Sequence, residues 1–333
     1  MTDKKVSSIL REIGGDNQDL TQDEINDLRY ILAHILDTEK ARLILYTDRE
    51  LTDSQFQQWQ EARSKLIQQK IPVHYIINTK NFMGLDFFVD ERVLIPRFDT
   101  EILVEQAMLE IKKLREPRDL AEDSTLGDMD RKIRILELCT GSGAIPISLI
   151  HHLANDSADK LMPGILITSL EITALDISED ALDVADINKK KLLTPAEQKQ
   201  LKFIHSDLFE NVPRRNSQPE SQSSPDVDFS SDTGYHLIIA NPPYVTHQEY
   251  EALDEKVKKE PFGALVAEED GLFFYEKILY QARDYLHPDQ GVILFEIGSL
   301  QGPALQALAA ANGYQECTII PDYAGHSRVA IIR

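Results

Sequence analysis

The stretch "IIANPPYV", residues 238–245, ends an apolar run with Asn241, Pro242, Pro243 and Tyr244. Two consecutive prolines suit neither a ladder strand nor a helix interior, because each lacks an N–H and restricts the backbone around it. The segment is therefore either a plain turn or a rigid cup for a planar substrate group. Three other places carry side chains suited to a ligand. "LELCTGSGAI" (136–145) reads as a strand, a Gly-containing turn and a helix start. In that turn, Cys139-Thr140-Gly141-Ser142-Gly143, the glycines allow close backbone approach and the helix start offers free N–H groups. It lacks the third glycine of the dinucleotide fingerprint, and no Lys-Ser/Thr follows, so a pyrophosphate ligand is disfavoured. Glu137 at the strand end suits a cationic or amine-bearing ligand better. Packing alone is the competing role for the turn.

Asp176 in "ALDIS" ends a second strand, where a carboxylate can accept hydrogen bonds from both hydroxyls of a ribose. It lies about 33 residues past Gly143 where ~20 is usual, and an insertion at 155–170 accounts for the excess. Its competing role is to cap the next helix, for which Ser178 is better placed. Asp207, with Leu208 behind it in "HSDLF", ends a third strand. It would hold an adenine amino group or simply start a turn.

These residues need a scaffold, and the hydrophobic pattern supplies one. Strand candidates at 133–139, 171–178, 201–207, 235–240 and 291–298 alternate with helical stretches, which predicts an α/β fold with a doubly wound, mostly parallel sheet. "QECTIIPD" and "RVAIIR" close the chain as an antiparallel pair. A helix is expected from near Asp99 to about Leu114, and Pro146 is tolerable in the first turn of the helix behind the Gly turn. Residues 1–72 read as a helical bundle. Ile25, Leu28, Leu32, Ile35 and Leu36 share one helical face, as do Phe56, Trp59, Leu66 and Ile67. Thr21 with Glu24 and Thr52 with Gln55 have the spacing of capping boxes. Residues 73–95, β-branched and aromatic with Asn81 and Gly84 as punctuation, suggest a hairpin-like connector to a domain over 96–333. Segments 116–131, 155–170 and 216–234 look like insertions, the last rich in Ser, Pro, Gln and Asp and expected to be disordered.

Composition narrows the function classes. Lys+Arg 35 against Asp+Glu 56 gives a net charge of −21, which argues against sequence-blind binding to DNA or RNA. Cys139 and Cys317 make neither a disulfide framework nor a metal cluster, and they read as reduced thiols. The first residues lack the apolar core of a signal peptide, and no stretch is long enough to span a membrane. The expectation is a cytoplasmic protein with no metal and no membrane partner.

A Gly turn, an acid, an Asp and "NPPY" thus follow four successive strands at their carboxyl ends, where open α/β sheets bind ligands. This arrangement resembles the class I S-adenosylmethionine-dependent methyltransferases. The resemblance implies a seven-stranded sheet, with Glu137, Cys139, Thr140, Gly141, Ser142, Gly143, Asp176, Asp207, Leu208 and Asn241 around the cofactor. "NPPY" is similar to the motif of enzymes that methylate a planar nitrogen. The Asn241 oxygen and a carbonyl near Pro242 would accept both N–H bonds, Tyr244 would stack, and Pro242 and Pro243 would keep the acceptors rigid. No general base is evident, so proton loss would follow transfer.

Further stretches resemble the protein-(glutamine-N5) methyltransferases of peptide chain release factors. They are "PVHYI" (72–76), "FMGLDFFVDERVLIPR" (82–97), "DTE" (99–101), "EPFGALVAEEDGLFFYEKIL" (260–279), "EIG" with Gln301-Gly302, and "DYAGHSRVAIIR" (322–333). The resemblance implies S-adenosylmethionine as cofactor and S-adenosylhomocysteine as product. The implied partner is a class I release factor, methylated on the Gln of its Gly-Gly-Gln loop by a monomeric enzyme whose helical domain grips it. A ribosomal-protein glutamine, or a nucleic-acid adenine, is the alternative substrate. Phe98 and Cys139 depart from the family pattern, which more often has Pro or another small residue and Gly there.

Overall fold

The computed structural model describes residues 3–15, 20–115, 132–156, 170–215 and 234–333. The chain divides into two compact units, one of Met1–Thr79 with Val89–Glu91 and Leu253–Glu260, the other of Lys80–Phe88, Arg92–Ala252 and Pro261–Arg333. The insertions read at 116–131, 155–170 and 216–234 lie almost entirely outside the described residues.

The first unit is helical: α1 (Val6–Gly14), α2 (Gln22–Ile35), α3 (Asp53–Ile67) and α4 (Val73–Ile77). Both expected capping boxes form. The Glu24 N–H donates to Thr21 Oγ1 at 3.2 Å and the Thr21 N–H to Glu24 Oε2 at 3.0 Å, and Thr52 and Gln55 repeat the pattern at 3.2 Å each way. Each box satisfies two N–H groups that a helix start otherwise leaves open. Leu28, Leu32, Leu36, Trp59 and Leu66 are buried as their spacing implies, whereas Ile25, Ile35, Phe56 and Ile67 pack only partly. Glu24 is also buried, and its Oε1 is met by Lys70 at 2.8 Å.

The reading of 73–95 as one hairpin-like connector needs a correction. Val73–Ile77 is a helical turn, entered from Pro72 and stopped by Asn78 in the left-handed region at φ 52°. Only β1 (Lys80–Phe82) and β2 (Leu85–Phe87) form a hairpin. Its two-residue turn, Met83-Gly84, has φ of 50° and 75°, the pair of positive values that matches strand twist. β-Branched composition suggested strand at Val73–Ile77, but the burial of Val73, Tyr75 and Ile77 is reached in helical form.

In the second unit the chain runs through α5 (Thr100–Arg115), β3 (Ile133–Leu138), α6 (Ala144–Asp156), β4 (Leu170–Asp176), α7 (Glu179–Leu192), α8 (Pro195–Gln198) and β5 (Leu201–His205). It continues through β6 (Leu237–Ala240), α9 (His247–Glu251), α10 (Phe273–Ala282), β7 (Val292–Glu296), α11 (Gly302–Ala311), β8 (Cys317–Pro321) and β9 (Ser327–Ile332). The seven-stranded sheet has the order β5-β4-β3-β6-β7-β9-β8. The first five are mutually parallel, and β9 is antiparallel to both β7 and β8. This is the doubly wound sheet with a terminal antiparallel pair that the alternation of elements predicts. β6 and β7 are buried along their whole length, so their apolar runs are continuous rather than alternating. The strand order reverses between β3 and β6, which opens a crevice at their carboxyl ends. Among the described residues no helix is long and apolar enough to cross a membrane.

Candidate active site

Register places the side chains of this crevice. Leu138 pairs with Leu175 on β4 and with Ala240 on β6, and Ala240 pairs with Phe295 on β7. The next residues along each strand are Asp176, Cys139, Asn241 and Glu296, so these four stand in one row across neighbouring strands. Neighbouring strands lie about 4.8 Å apart. The Gly turn and "NPPY" therefore begin side by side, although a hundred residues of chain separate them. Asp207 and Leu208 follow β5 at the outer end of the same rim.

The turn after β3 is held by hydrogen bonds from its own backbone N–H groups, mainly to the end of β4. The Thr140 N–H donates to the Leu175 carbonyl at 2.9 Å and the Gly143 N–H to the Thr140 carbonyl at 3.0 Å. The Gly141 N–H donates to Asp176 Oδ2 at 2.8 Å, and the Ser178 N–H to Asp176 Oδ1 at 3.0 Å. Asp176 thus braces the turn, and burial pushes its carboxyl up despite those donors. It is Ser178, through Oγ at 3.1 Å from the Ala181 N–H, that caps α7. Gly143 is explained by packing. A Cβ there would lie 3.0 Å from Ile147 and 3.2 Å from Ala185, at φ 76°. Cys139 has φ 60°, which is why glycine is the easier residue at that position. Leu208 is buried at φ 46°, its carbonyl taking the Ser206 hydroxyl at 2.8 Å, while Asp207 is exposed. Ser142 is buried, and its carbonyl accepts from Asn188 Nδ2 at 2.9 Å.

Glu137 is 1% exposed. Thr140 Oγ1 donates to its Oε2 at 2.6 Å, and Oε1 has no partner among the described residues. Burial pushes its pKa up to about 8, with the nearby Asp176 charge adding to the Thr140-opposed shift. An unpartnered buried carboxylate oxygen beside a Gly turn is a place for a cation or an N–H donor.

Just after β6, Pro242 and Pro243 are buried while Asn241 and Tyr244 are half-buried. Asn241 Nδ2 donates to Thr100 Oγ1 at 3.4 Å. The Tyr244 hydroxyl donates to Glu296 Oε1 at 3.4 Å. Beyond the prolines, Val245 exchanges 2.9 Å backbone bonds with Leu265 and Ala267. The Gln301 amide donates to the carbonyls of Gly271 at 3.1 Å and Tyr244 at 3.4 Å. A Cβ on Gly271 would sit 2.3 Å from the Tyr244 carbonyl oxygen, so only glycine permits that approach.

Two stretches far apart in the chain also meet. Arg328 lies 3.1 Å from Asp99 and 3.3 Å from Asp322. Sequence reasoning attached no role to Thr100, Asn188, Glu296 or Gln301. Thr100, Glu296 and Gln301 occurred only inside family-like stretches, and the signal that singles out Glu296 is its place as the last residue of the strand paired to β6. Phe98 is exposed and touches none of these bonds.

Comparison with known proteins finds similar methyltransferases. The family model described as the PrmC N-terminal domain matches residues 5–77. A release factor glutamine methyltransferase of Fusobacterium nucleatum is 33% identical over 92% of this chain and 72% of its own. One of Clostridium acetobutylicum is 30% identical over 98% and 95%. A bifunctional methyltransferase of Rickettsia felis is 31% identical over 98% of this chain, which spans 56% of that longer protein.

Proposed function

This chain belongs to the release factor glutamine methyltransferase family, and on that premise we propose that it methylates the side-chain amide nitrogen of the Gln in the Gly-Gly-Gln loop of a class I peptide chain release factor. One observation carries the reading. The Leu138↔Ala240 pairing puts Asn241 and its two buried prolines directly beside the Gly turn, next to the unpartnered buried carboxylate of Glu137. Such a carboxylate fits S-adenosylmethionine, which bears an ammonium group and, when bound, supplies an electrophilic methyl group on a sulfonium. Glu137 takes the ammonium, Asp176 the ribose hydroxyls, and the Asp207-Leu208 turn the adenine. Cys139, Thr140, Gly141, Ser142 and Gly143 wall the methionine part.

The protein's own task is to make a poor nucleophile react. An amide lone pair is delocalised, so the nitrogen must be oriented and its developing charge stabilised. The Asn241 side-chain oxygen and the Pro242 carbonyl accept its two N–H bonds, and those bonds strengthen as positive charge grows. Pro242 and Pro243 hold the acceptors in place without reorganisation, and Tyr244 covers the amide plane. The helical unit, which carries the PrmC N-terminal match, is proposed to recognise the release factor.

Transfer of labelled methyl groups tests the substrate. Label is expected in a wild-type release factor and not in one whose loop Gln is changed to Ala; equal labelling of both would overturn the assignment. DNA and ribosomal proteins serve as the competing acceptors in the same assay. The role of Glu137 has a separate test. A cation beside Glu137 favours its ionised form, so binding at pH below the pKa of about 8 must expel a proton. Affinity for S-adenosylmethionine should weaken roughly tenfold from pH 7 to pH 6. Calorimetry in buffers of different ionisation enthalpy should find proton release in the wild type and none in Glu137→Gln. A wild-type affinity flat between those pH values would remove Glu137 from the cofactor site.

A further inference from the structure

Gln301 stands immediately before α11, but its side chain makes no capping bond to that helix. The amide turns instead to the segments around the site. Its Oε1 accepts the Gly298 N–H at 2.8 Å, and its Nε2 donates to the carbonyls of Gly271 at 3.1 Å and Tyr244 at 3.4 Å. A backbone N–H only donates and a carbonyl only accepts, so these partners fix which way the amide faces and use both of its N–H bonds. A Cβ on Gly271 would meet the Tyr244 carbonyl oxygen at 2.3 Å and Gln301 Nε2 at 2.7 Å, so the junction closes only around glycine, there at φ 79°. Tyr244 needs such an anchor. Pro242 and Pro243 carry no N–H by which the chain before it can be tied. Beyond it, Val245 is fixed by its 2.9 Å bonds to Leu265 and Ala267. At the end of the ring, the Tyr244 hydroxyl donates to Glu296 Oε1 at 3.4 Å. The short segment from Glu296 to Gln301 thus holds Tyr244 both by its hydroxyl and by its carbonyl.

We propose that Gln301 is a positioning residue for the transfer: by holding the Tyr244 carbonyl, it sets the angle at which the Tyr244 ring covers the substrate amide. The inference rests on the planar-nitrogen reading of the segment after β6. Pro243 restricts the chain on one side of Tyr244, and the Val245 bonds fix it on the other. The remaining freedom is rotation of Tyr244 about its own backbone bonds. The Tyr244 carbonyl lies in the peptide plane that this rotation moves, so a donor on that carbonyl resists it. Without the donor the ring swings about its hydroxyl contact, and the amide loses the cover that keeps its nitrogen aimed at the methyl group.

The test pairs kinetics with a signal that needs no protein substrate. Gln301→Met keeps the length of the side chain and removes its donors. It should lower kcat by ~10-fold, as for loss of one hydrogen bond, while the dissociation constant of S-adenosylmethionine stays within about twofold of wild type. In Gln301→Glu an ionised carboxylate repels both carbonyls, whereas a protonated one donates to one of them and still accepts the Gly298 N–H. The kcat of that variant relative to wild type should therefore rise as the pH falls from about 8 to about 6. In protein labelled with fluorotyrosine, the Tyr244 fluorine resonance, assigned by its absence in Tyr244→Phe, should move in Gln301→Met. It should move also in Gly271→Ala, which displaces the same carbonyl from the other side. An unmoved resonance or an unchanged kcat in Gln301→Met, or a flat ratio in Gln301→Glu, overturns the proposal. Absence of transfer by the wild type would strike the release-factor assignment instead, and the resonance would still decide whether Gln301 holds Tyr244.

Discussion

Asn241→Ala should lower turnover of the release factor by ~100-fold or more while the dissociation constant of S-adenosylmethionine stays within about twofold of wild type, the pattern of a bond made chiefly in the transition state. The reasoning starts from the nucleophile. Reaction at an amide nitrogen gathers positive charge there, and an acceptor aimed at its N–H bond stabilises that charge more than it stabilises the ground state. Asn241 is suited to this because its other end is already engaged, with Nδ2 on Thr100 at 3.4 Å. The two buried prolines behind it restrict the backbone, so the orientation survives catalysis. Alanine removes the side-chain acceptor and leaves the Pro242 carbonyl, which is why the loss is large but not total. Single-turnover kinetics at saturating cofactor measure it, and an unchanged rate would remove Asn241 from the chemistry.

Asp176→Ala should raise the dissociation constant of S-adenosylmethionine by ~100-fold, from two lost charge-assisted hydrogen bonds to a ribose. The variant also strips the partner from the Gly141 and Ser178 N–H groups. Asp176→Asn separates the two effects: its amide keeps one acceptor oxygen, so a smaller loss is expected. If the role is binding alone, kcat in either variant recovers at saturating cofactor. Calorimetry reads the affinity, and a dissociation constant equal to that of wild type would exclude the ribose contact.

The residues that bind their own neighbours were open to reading from the chain. Thr21 with Glu24, Thr52 with Gln55, and Ser178 with Ala181 all act within three residues, so spacing alone identifies them. The alternation of apolar runs and helical faces likewise predicted the parallel sheet, because burial on both faces imposes continuous apolar strands. Val73–Ile77 was misjudged for a related reason. β-Branched side chains prefer strand only where a neighbouring strand receives them, and the helical unit buries these residues as a turn instead.

What the chain by itself determined, then, is the type of each strand end: a Gly turn, an acid, an Asp and a Pro-braced Asn-Tyr. Which strand ends are neighbours was decided by tertiary structure alone. Pairing of β3 with both β4 and β6, and of β6 with β7, is a long-range choice that no local propensity encodes. That choice brings Glu296 beside Asn241 and carries Thr100, from 141 residues earlier, to its amide. A buried carboxylate looks unremarkable in "FEIG" and becomes consequential only when burial removes water and leaves the Tyr244 hydroxyl as its side-chain partner among the described residues.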